Sequence, residues 1–81
     1  MVNPITMPDL GVPHAALSLW LVDEGSAVRE GERVVEILTG PAVVDINSPF
    51  GGILVRRTAL PGDHVLPGQT LGYIEETEED A

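Results

Sequence analysis

Short runs of aliphatic and β-branched residues, separated every six to ten residues by glycine or proline, set the pattern of the chain. The clearest pair of runs covers residues 34–38 and 42–46, on either side of a Thr-Gly-Pro segment at 39–41. Runs of this length and composition are typical of strands, and a glycine-containing tip between two of them is typical of a hairpin. The pattern therefore predicts a β-hairpin with a tight tip.

Three further runs predict strands at 4–8, 17–22 and 53–57. The first is bounded by prolines, which suits the edge of a sheet, and a Gly- and Pro-containing loop at 9–16 separates it from the second. Proline or glycine interrupts nearly every window long enough for a helix. The predicted fold class is all-β.

The chain also repeats itself. Residues 24–37 align with 61–74 at a constant offset of 37, with glycine, valine and isoleucine in matching places. The matched pairs are Gly25 with Gly62, Val28 with Val65, Gly31 with Gly68, and Ile37 with Ile74. A weaker echo pairs 5–8 with 46–49. Two similar halves of about forty residues predict two small sheets related by a pseudo-two-fold axis.

A length of 81 residues allows one domain. We assign residues 1–76 to that domain. The acidic segment 77–81 lacks apolar spacing and is interpreted as a solvated tail or the start of a linker, which allows for a longer parent protein.

The charge is strongly negative, because 13 acidic residues stand against four basic ones, all arginine, giving a net charge of −9. Such a field repels nucleic acid and anionic lipid and favours encounter with a basic protein surface. We therefore expect a protein partner, no nucleic acid and no membrane. Solubility is the alternative role for the same charge.

Neither cysteine nor lysine occurs in the chain. Without cysteine there is no disulfide framework, and two widely separated histidines do not make a zinc site, so no metal is expected. No apolar run approaches the ~20 residues of a membrane span, and the first residues lack a basic signal-peptide region. A cytoplasmic location is the expectation. Catalysis by this chain alone is not predicted, because no base is spaced to activate Ser18 or Ser48.

Residues 4–75 resemble the lipoyl domain of 2-oxo-acid dehydrogenase acyltransferases, in register and without insertions. The resemblance is carried by Pro8-Asp9-Leu10-Gly11, Trp20-Leu21-Val22, Glu24-Gly25, Gly31-Glu32, Glu36-Ile37, Thr39, Ala42, Val44-Asp45-Ile46, Ser48-Pro49, Gly62-Asp63, Gly68 and Leu71-Gly72. It implies a barrel-sandwich hybrid, a flattened barrel of two four-stranded sheets with the hairpin protruding at one end.

The resemblance also identifies a difference at the hairpin tip. Lipoyl domains carry Thr-Asp-Lys-Ala there, with the cofactor on the lysine amine, whereas this chain has Thr39-Gly40-Pro41-Ala42. Pro41 replaces the attachment lysine, and proline has no amine to acylate. No covalently bound cofactor is therefore expected.

Without an attached cofactor, the feature of a lipoyl domain that this chain can retain is the surface that such a domain presents to a thiamine-diphosphate-dependent decarboxylase. By position, the resemblance implies that this surface consists of the loop Asp9, Leu10, Gly11, Val12, Pro13 and His14, and of the tip Leu38, Thr39, Gly40, Pro41, Ala42 and Val43. The favoured function is a non-lipoylated docking module that recognises a decarboxylase-type or acyl-transfer enzyme and directs acyl transfer to a carrier elsewhere. Two alternatives stay open: a structural or assembly domain, and the N-terminal domain of a larger acyltransferase.

Overall fold

The computed structural model describes residues 1–76, which form seven β-strands and no helix. The strands are β1 (Val2–Thr6), β2 (Ala16–Trp20), β3 (Ala27–Val28), β4 (Arg33–Leu38), β5 (Val43–Asn47), β6 (Gly52–Arg57) and β7 (Thr70–Glu76). They form two antiparallel sheets with the orders β1-β7-β6-β3 and β2-β4-β5. The all-β prediction is confirmed. A membrane-crossing helix is absent from these 76 residues.

The predicted repeat is visible in the backbone hydrogen bonds of the turns. The amide of Gly25 donates to Leu54 O at 2.7 Å, and the amide of Gly62 donates to Leu17 O at 2.8 Å, so donors and acceptors are both related by the offset of 37. In a second pair of turns, Gly31 N–H donates to Ser48 O at 2.8 Å and Gly68 N–H donates to Met7 O at 2.7 Å, so the donors are again related by 37 but the acceptors by 41. The turns of the two halves are thus equivalent in structure, and the halves differ in length between residues 7 and 17.

The prediction of two four-stranded sheets is wrong for the second sheet, which has three strands in the described part of the chain. The repeat places the counterpart of β3 at His64 and Val65. There the chain makes only an isolated bridge between His64 and Ala16, with one further bond from Val65 N–H to Ala15 O at 3.0 Å. The two halves differ at this point, because a longer loop leads into β2 than into β6.

Strand boundaries shift by up to two residues from the prediction, most clearly in β1, which ends at Thr6 rather than at residue 8. The ladder slips between Ile5 and Thr6, and Pro8 has no amide to continue it. The predicted tail at 77–81 lies outside the described residues.

The core lies between the sheets and contains only aliphatic residues, methionine and alanine at its buried positions. Val34 and Val35 are both fully buried although they are consecutive in a strand. The register of β4 against β5 shifts between Arg33 and Val35, and a bulge of this kind turns two successive side chains toward the same face. The bulge explains why buried and exposed residues do not alternate at this point of β4.

Trp20 links the sheets. Its indole Nε1–H donates to Ala59 O at 2.8 Å, and its six-membered ring lies over Gly72 of β7 in the opposite sheet. An added Cβ at position 72 would lie 2.7 Å from Arg56 O, a backbone atom of the paired strand β6, and 3.0 Å from the Trp20 ring. Glycine at 72 therefore allows the close approach of both β6 and Trp20.

Trp20→Phe is expected to lower the free energy of unfolding by at least about 1 kcal/mol, because the Ala59 carbonyl loses its donor and the ring loses contact area. Urea unfolding followed by circular dichroism measures the change. Tyr73→Phe is the matched control, since the Tyr73 hydroxyl makes no hydrogen bond within residues 1–76. Equal urea concentrations at the midpoint of unfolding for the two variants would contradict a role for the indole hydrogen bond.

Candidate functional site

The β4–β5 hairpin ends in a two-residue turn formed by Gly40 and Pro41, both exposed. Thr39 closes the turn: its amide donates to Ala42 O at 2.9 Å, and its hydroxyl donates to the same oxygen at 3.2 Å. Gly40 has φ +82°, and the ring of Pro41 fixes φ near −65°. A positive φ followed by a negative one matches a type II′ hairpin turn, which takes glycine at its first central position.

The loop between β1 and β2 contains the other predicted site residues. Asp9 Oδ1 accepts the amide of Gly11 at 2.9 Å, and Gly11 has φ +69°, which glycine adopts without steric cost. Leu10 packs partly against the core, whereas Val12 and His14 are exposed. Leu10 thus anchors the loop to the core, the Asp9 bond shapes the turn at Gly11, and Val12 and His14 face solvent.

Loop and tip lie at the same end of the molecule. The loop enters β2 at Ala16, which is paired with Leu38, the last residue of β4 before the tip. Met1 and Glu76 lie at the other end, where Glu76 is paired with Gly52 and its amide donates to Met1 O at 2.9 Å. The structure thus brings together the two predicted segments and separates them from Met1 and Glu76 by the length of the hairpin.

An apolar cleft opens between the loop and the turn at 65–67. Its lining is Met7, Pro8, Leu10, Val12, Pro13, Ala15, Val65, Leu66 and Pro67. Leu66 is 69% exposed. The residues Leu66 and Pro67 escaped the sequence analysis, although the repeat contains a signal: the equivalent residues in the first copy are Arg29 and Glu30.

The outer face of the three-stranded sheet is apolar near the tip and acidic farther along. Leu38 and Val43 are paired across β4 and β5, and both are exposed. Glu36 and Asp45 form the next outward pair, which sets two carboxylates opposite each other. Arg33 Nη1 lies 3.1 Å from Asp45 Oδ2, so Asp45 makes an ion pair across the two strands.

Ser48, which follows β5 at the end of the molecule away from the tip, has a structural role. It is buried, and its hydroxyl donates to Phe50 O and accepts the amide of Phe50 at 3.3 Å, so it supports a local turn. Among residues 1–76, no three His, Asp or Glu side chains gather as metal ligands would. The arrangement can offer an apolar and acidic contact surface.

Three comparisons describe the relatives of the chain. The family model described as "Biotin-requiring enzyme" matches residues 3–74. A solution structure of the lipoyl domain of the 2-oxoglutarate dehydrogenase complex from Azotobacter vinelandii is similar, with a TM-score of 0.74 and 26% identity, over 93% of this chain and 98% of that one.

Two curated proteins are similar in sequence. The acetyltransferase component of the acetoin cleaving system of Pseudomonas putida is 30% identical over 99% of this chain and 24% of its own length. The succinyltransferase component of the 2-oxoglutarate dehydrogenase complex of Buchnera aphidicola is 39% identical over 86% of this chain and 18% of its own length. The chain thus spans a quarter or less of these two relatives.

Proposed function

The chain belongs to the biotin/lipoyl attachment domain family and is homologous to the lipoyl domains of 2-oxo-acid dehydrogenase acyltransferases, and on that premise we propose that it is a docking module that carries no lipoyl group itself. It recognises a thiamine-diphosphate-dependent decarboxylase-type enzyme, or an acyl-transfer enzyme, through the loop 9–14 and the tip 38–43. The acyl group is carried by another domain.

One observation carries this proposal. The hairpin keeps its shape and its exposed tip, while position 41 is proline and the 81 residues contain no lysine. Attachment through an amide needs a primary amine on a side chain, and arginine, always protonated, does not provide one. By the resemblance, Pro41 stands where lipoyl domains have the attachment lysine, and on this proposal these residues recognise a partner without carrying its acyl group on a lysine.

The contact surface supports recognition. The small cleft between the loop and residues 65–67 is lined by apolar residues, and exposed Val12 and Leu66 extend this apolar surface. Buried apolar contacts give protein interfaces most of their affinity, whereas charge sets the rate and the choice of partner. With a net charge of −9, the module favours a partner with a basic surface around an apolar anchor.

A second candidate function is supported by the coverage of the relatives. Because this chain matches only 24% and 18% of the acyltransferase components described above, the same domain can serve within a larger acyltransferase. In that case the catalytic residues belong to other domains, and docking by this surface remains its contribution.

Val12→Ala and Pro41→Ala are each expected to weaken binding to a purified thiamine-diphosphate-dependent 2-oxo-acid decarboxylase from the same organism by about fivefold or more, the effect of losing a contact worth about 1 kcal/mol. Isothermal titration calorimetry with the 81-residue chain measures the affinity. A pull-down identifies the component that binds.

Val2→Ala is the matched control. Val2 is 51% exposed and pairs with Glu75 at the end of the molecule away from the loop and tip, so its truncation should change the affinity by less than about twofold, as surface changes outside an interface usually do. Absence of binding to the decarboxylase, or equal losses for Val2→Ala and Val12→Ala, would leave the structural and assembly role as the better account.

A further inference from the structure

The β5 edge of the three-stranded sheet is open along its outer side. Within residues 1–76, the backbone groups of Val43–Asn47 bond to β4 on one side, and no backbone bond is made on the other. An open edge presents unpaired N–H and C=O groups to any extended chain. The edge lies outside the loop and tip surface proposed above, apart from Val43.

The other sheet edges are protected. Pro4 removes a donor from β1, and β3 has only two residues. The edge of β2 is covered by the segment around His64, where Leu17 N–H donates to Asp63 O at 2.8 Å. β5 contains five residues without proline, lysine or glycine, so it is the edge most suited to accept another strand.

The hydrogen-bond pattern identifies the free groups. In an antiparallel pair, residues that exchange backbone bonds alternate with residues whose backbone groups point away. Thr39 N–H bonds to Ala42 O, and the register runs from there to residue 46 without a shift. The alternation therefore directs the N–H and C=O of Val43 and Asp45 outward, while those of Val44 bond to β4.

We propose that the β5 edge binds an extended basic segment of a protein partner by β-strand addition. The segment adds a strand beside β5 and bonds the outward backbone groups of Val43 and Asp45. Because these residues are two apart, the segment's own residues opposite them are also two apart and on one face. Cross-strand pairing favours a Lys or Arg opposite Asp45 and an apolar side chain opposite Val43.

Charge favours such a partner over a second copy of the chain. Two β5 edges brought together would place Asp45 near its equivalent and join molecules that each have a net charge of −9. Asp45 also stands opposite Glu36 on the outer face of the sheet, so two carboxylates are already paired across β4 and β5. Arg33 is the cation beside Asp45. A lysine on an added strand would relieve this repulsion from the other side.

The probe is a blocked peptide of sequence Thr-Val-Thr-Lys-Thr-Val-Thr, which places lysine and valine two residues apart in either strand direction. Titration into ¹⁵N-labelled protein should shift the amides of Val43 and Asp45 most. A peptide with glutamate in place of the lysine should bind at least several-fold more weakly. Shifts confined to the loop 9–14 and to residues 39–42 would overturn the edge proposal while leaving docking intact.

Asp45→Lys should weaken binding of the lysine peptide by about 2- to 30-fold, as an attractive cross-strand pair becomes a repulsive one. Glu36→Lys is the matched control: it makes the same charge change on the same face but one strand farther from the edge, and should change the affinity by about twofold at most. Equal effects of the two variants would assign binding to the face rather than the edge.

Val43→Pro removes an outward donor that β4 does not use, and should weaken binding by about 2- to 12-fold, the value of one backbone hydrogen bond. Asp45→Lys keeps the proposal testable if this variant fails to fold. Concentration-dependent shifts of the Val43 and Asp45 amides without peptide would assign the edge to a second copy and overturn the proposal. So would the absence of any shift with the peptide.

Discussion

Gly52→Ala is expected to lower the free energy of unfolding by about 3 kcal/mol or more, the upper part of the range for overpacked sites. A Cβ at position 52 would collide with the carbonyl oxygen of Glu75 and would lie 2.8 Å from the Glu75 carbonyl carbon and 2.9 Å from the Cα of Glu76. These are backbone atoms of β7, which pairs with β6 at this point. Relief of the collision requires the strands to separate, since no side chain can move aside.

Gly51→Ala is the matched control, because a Cβ there would meet its nearest atom at 3.6 Å, an ordinary contact. Urea unfolding of both variants, followed by circular dichroism, measures the difference. The Gly51 variant should lie within about 1 kcal/mol of the parent, the cost of altering one glycine. Similar losses for both variants would show that strand contact at position 52 is not the cause.

The repeat predicted much of the architecture. Short-range patterning identified the strands, and the offset of 37 predicted that two turns would be equivalent before any contact was known. The hydrogen bonds of Gly25 and Gly62 confirm this. Strand ends were less predictable, because they depend on where a ladder slips, as it does at Ile5 and at Val34, and local sequence does not specify such slips.

The absence of an eighth strand from residues 1–76 follows from a difference between the halves that the sequence contains. Pro8 and Pro49 are related by an offset of 41, whereas Leu17 and Leu54 are related by 37. The first half thus has four extra residues between them, all within the loop that carries Val12 and Pro13. Val12 and Pro13 line the cleft with Leu66 and Pro67, so the departure from symmetry coincides with the proposed docking surface.

The open edge of β5 was beyond the reach of sequence reasoning. Whether Val43 or Val44 directs its amide outward depends on the turn that connects β4 to β5, because a change of one residue in the turn exchanges the bonded and free positions along the strand. With the Gly40-Pro41 turn, Thr39 N–H bonds to Ala42 O, and this bond fixes which residues of β5 are bonded to β4. The two residues at the proposed docking tip therefore also determine which backbone groups the edge offers.

Pro41→Lys is expected to convert a chain that a lipoate ligase leaves unmodified into one that it modifies at least in part. Position 41 is exposed, and the turn is closed by Thr39 and Ala42 rather than by the proline. Lysine adopts the negative φ of the second turn position without strain, while Gly40 retains the positive φ of +82°. Intact mass spectrometry after incubation with ligase, lipoate and ATP detects the added lipoyl group.

The parent chain and the Pro61→Lys variant are the two controls for this modification. Pro61→Lys places an exposed lysine on another turn that also contains a glycine of positive φ, at Gly62. Both controls should remain unmodified. Gly40→Asp should not be combined in the first test, because aspartate at φ +82° is strained by roughly 1 kcal/mol and would change the turn. Modification of Pro61→Lys to the same extent, or none of Pro41→Lys, would show that the ligase does not recognise this hairpin and would weaken the assignment of position 41 as the lost attachment site.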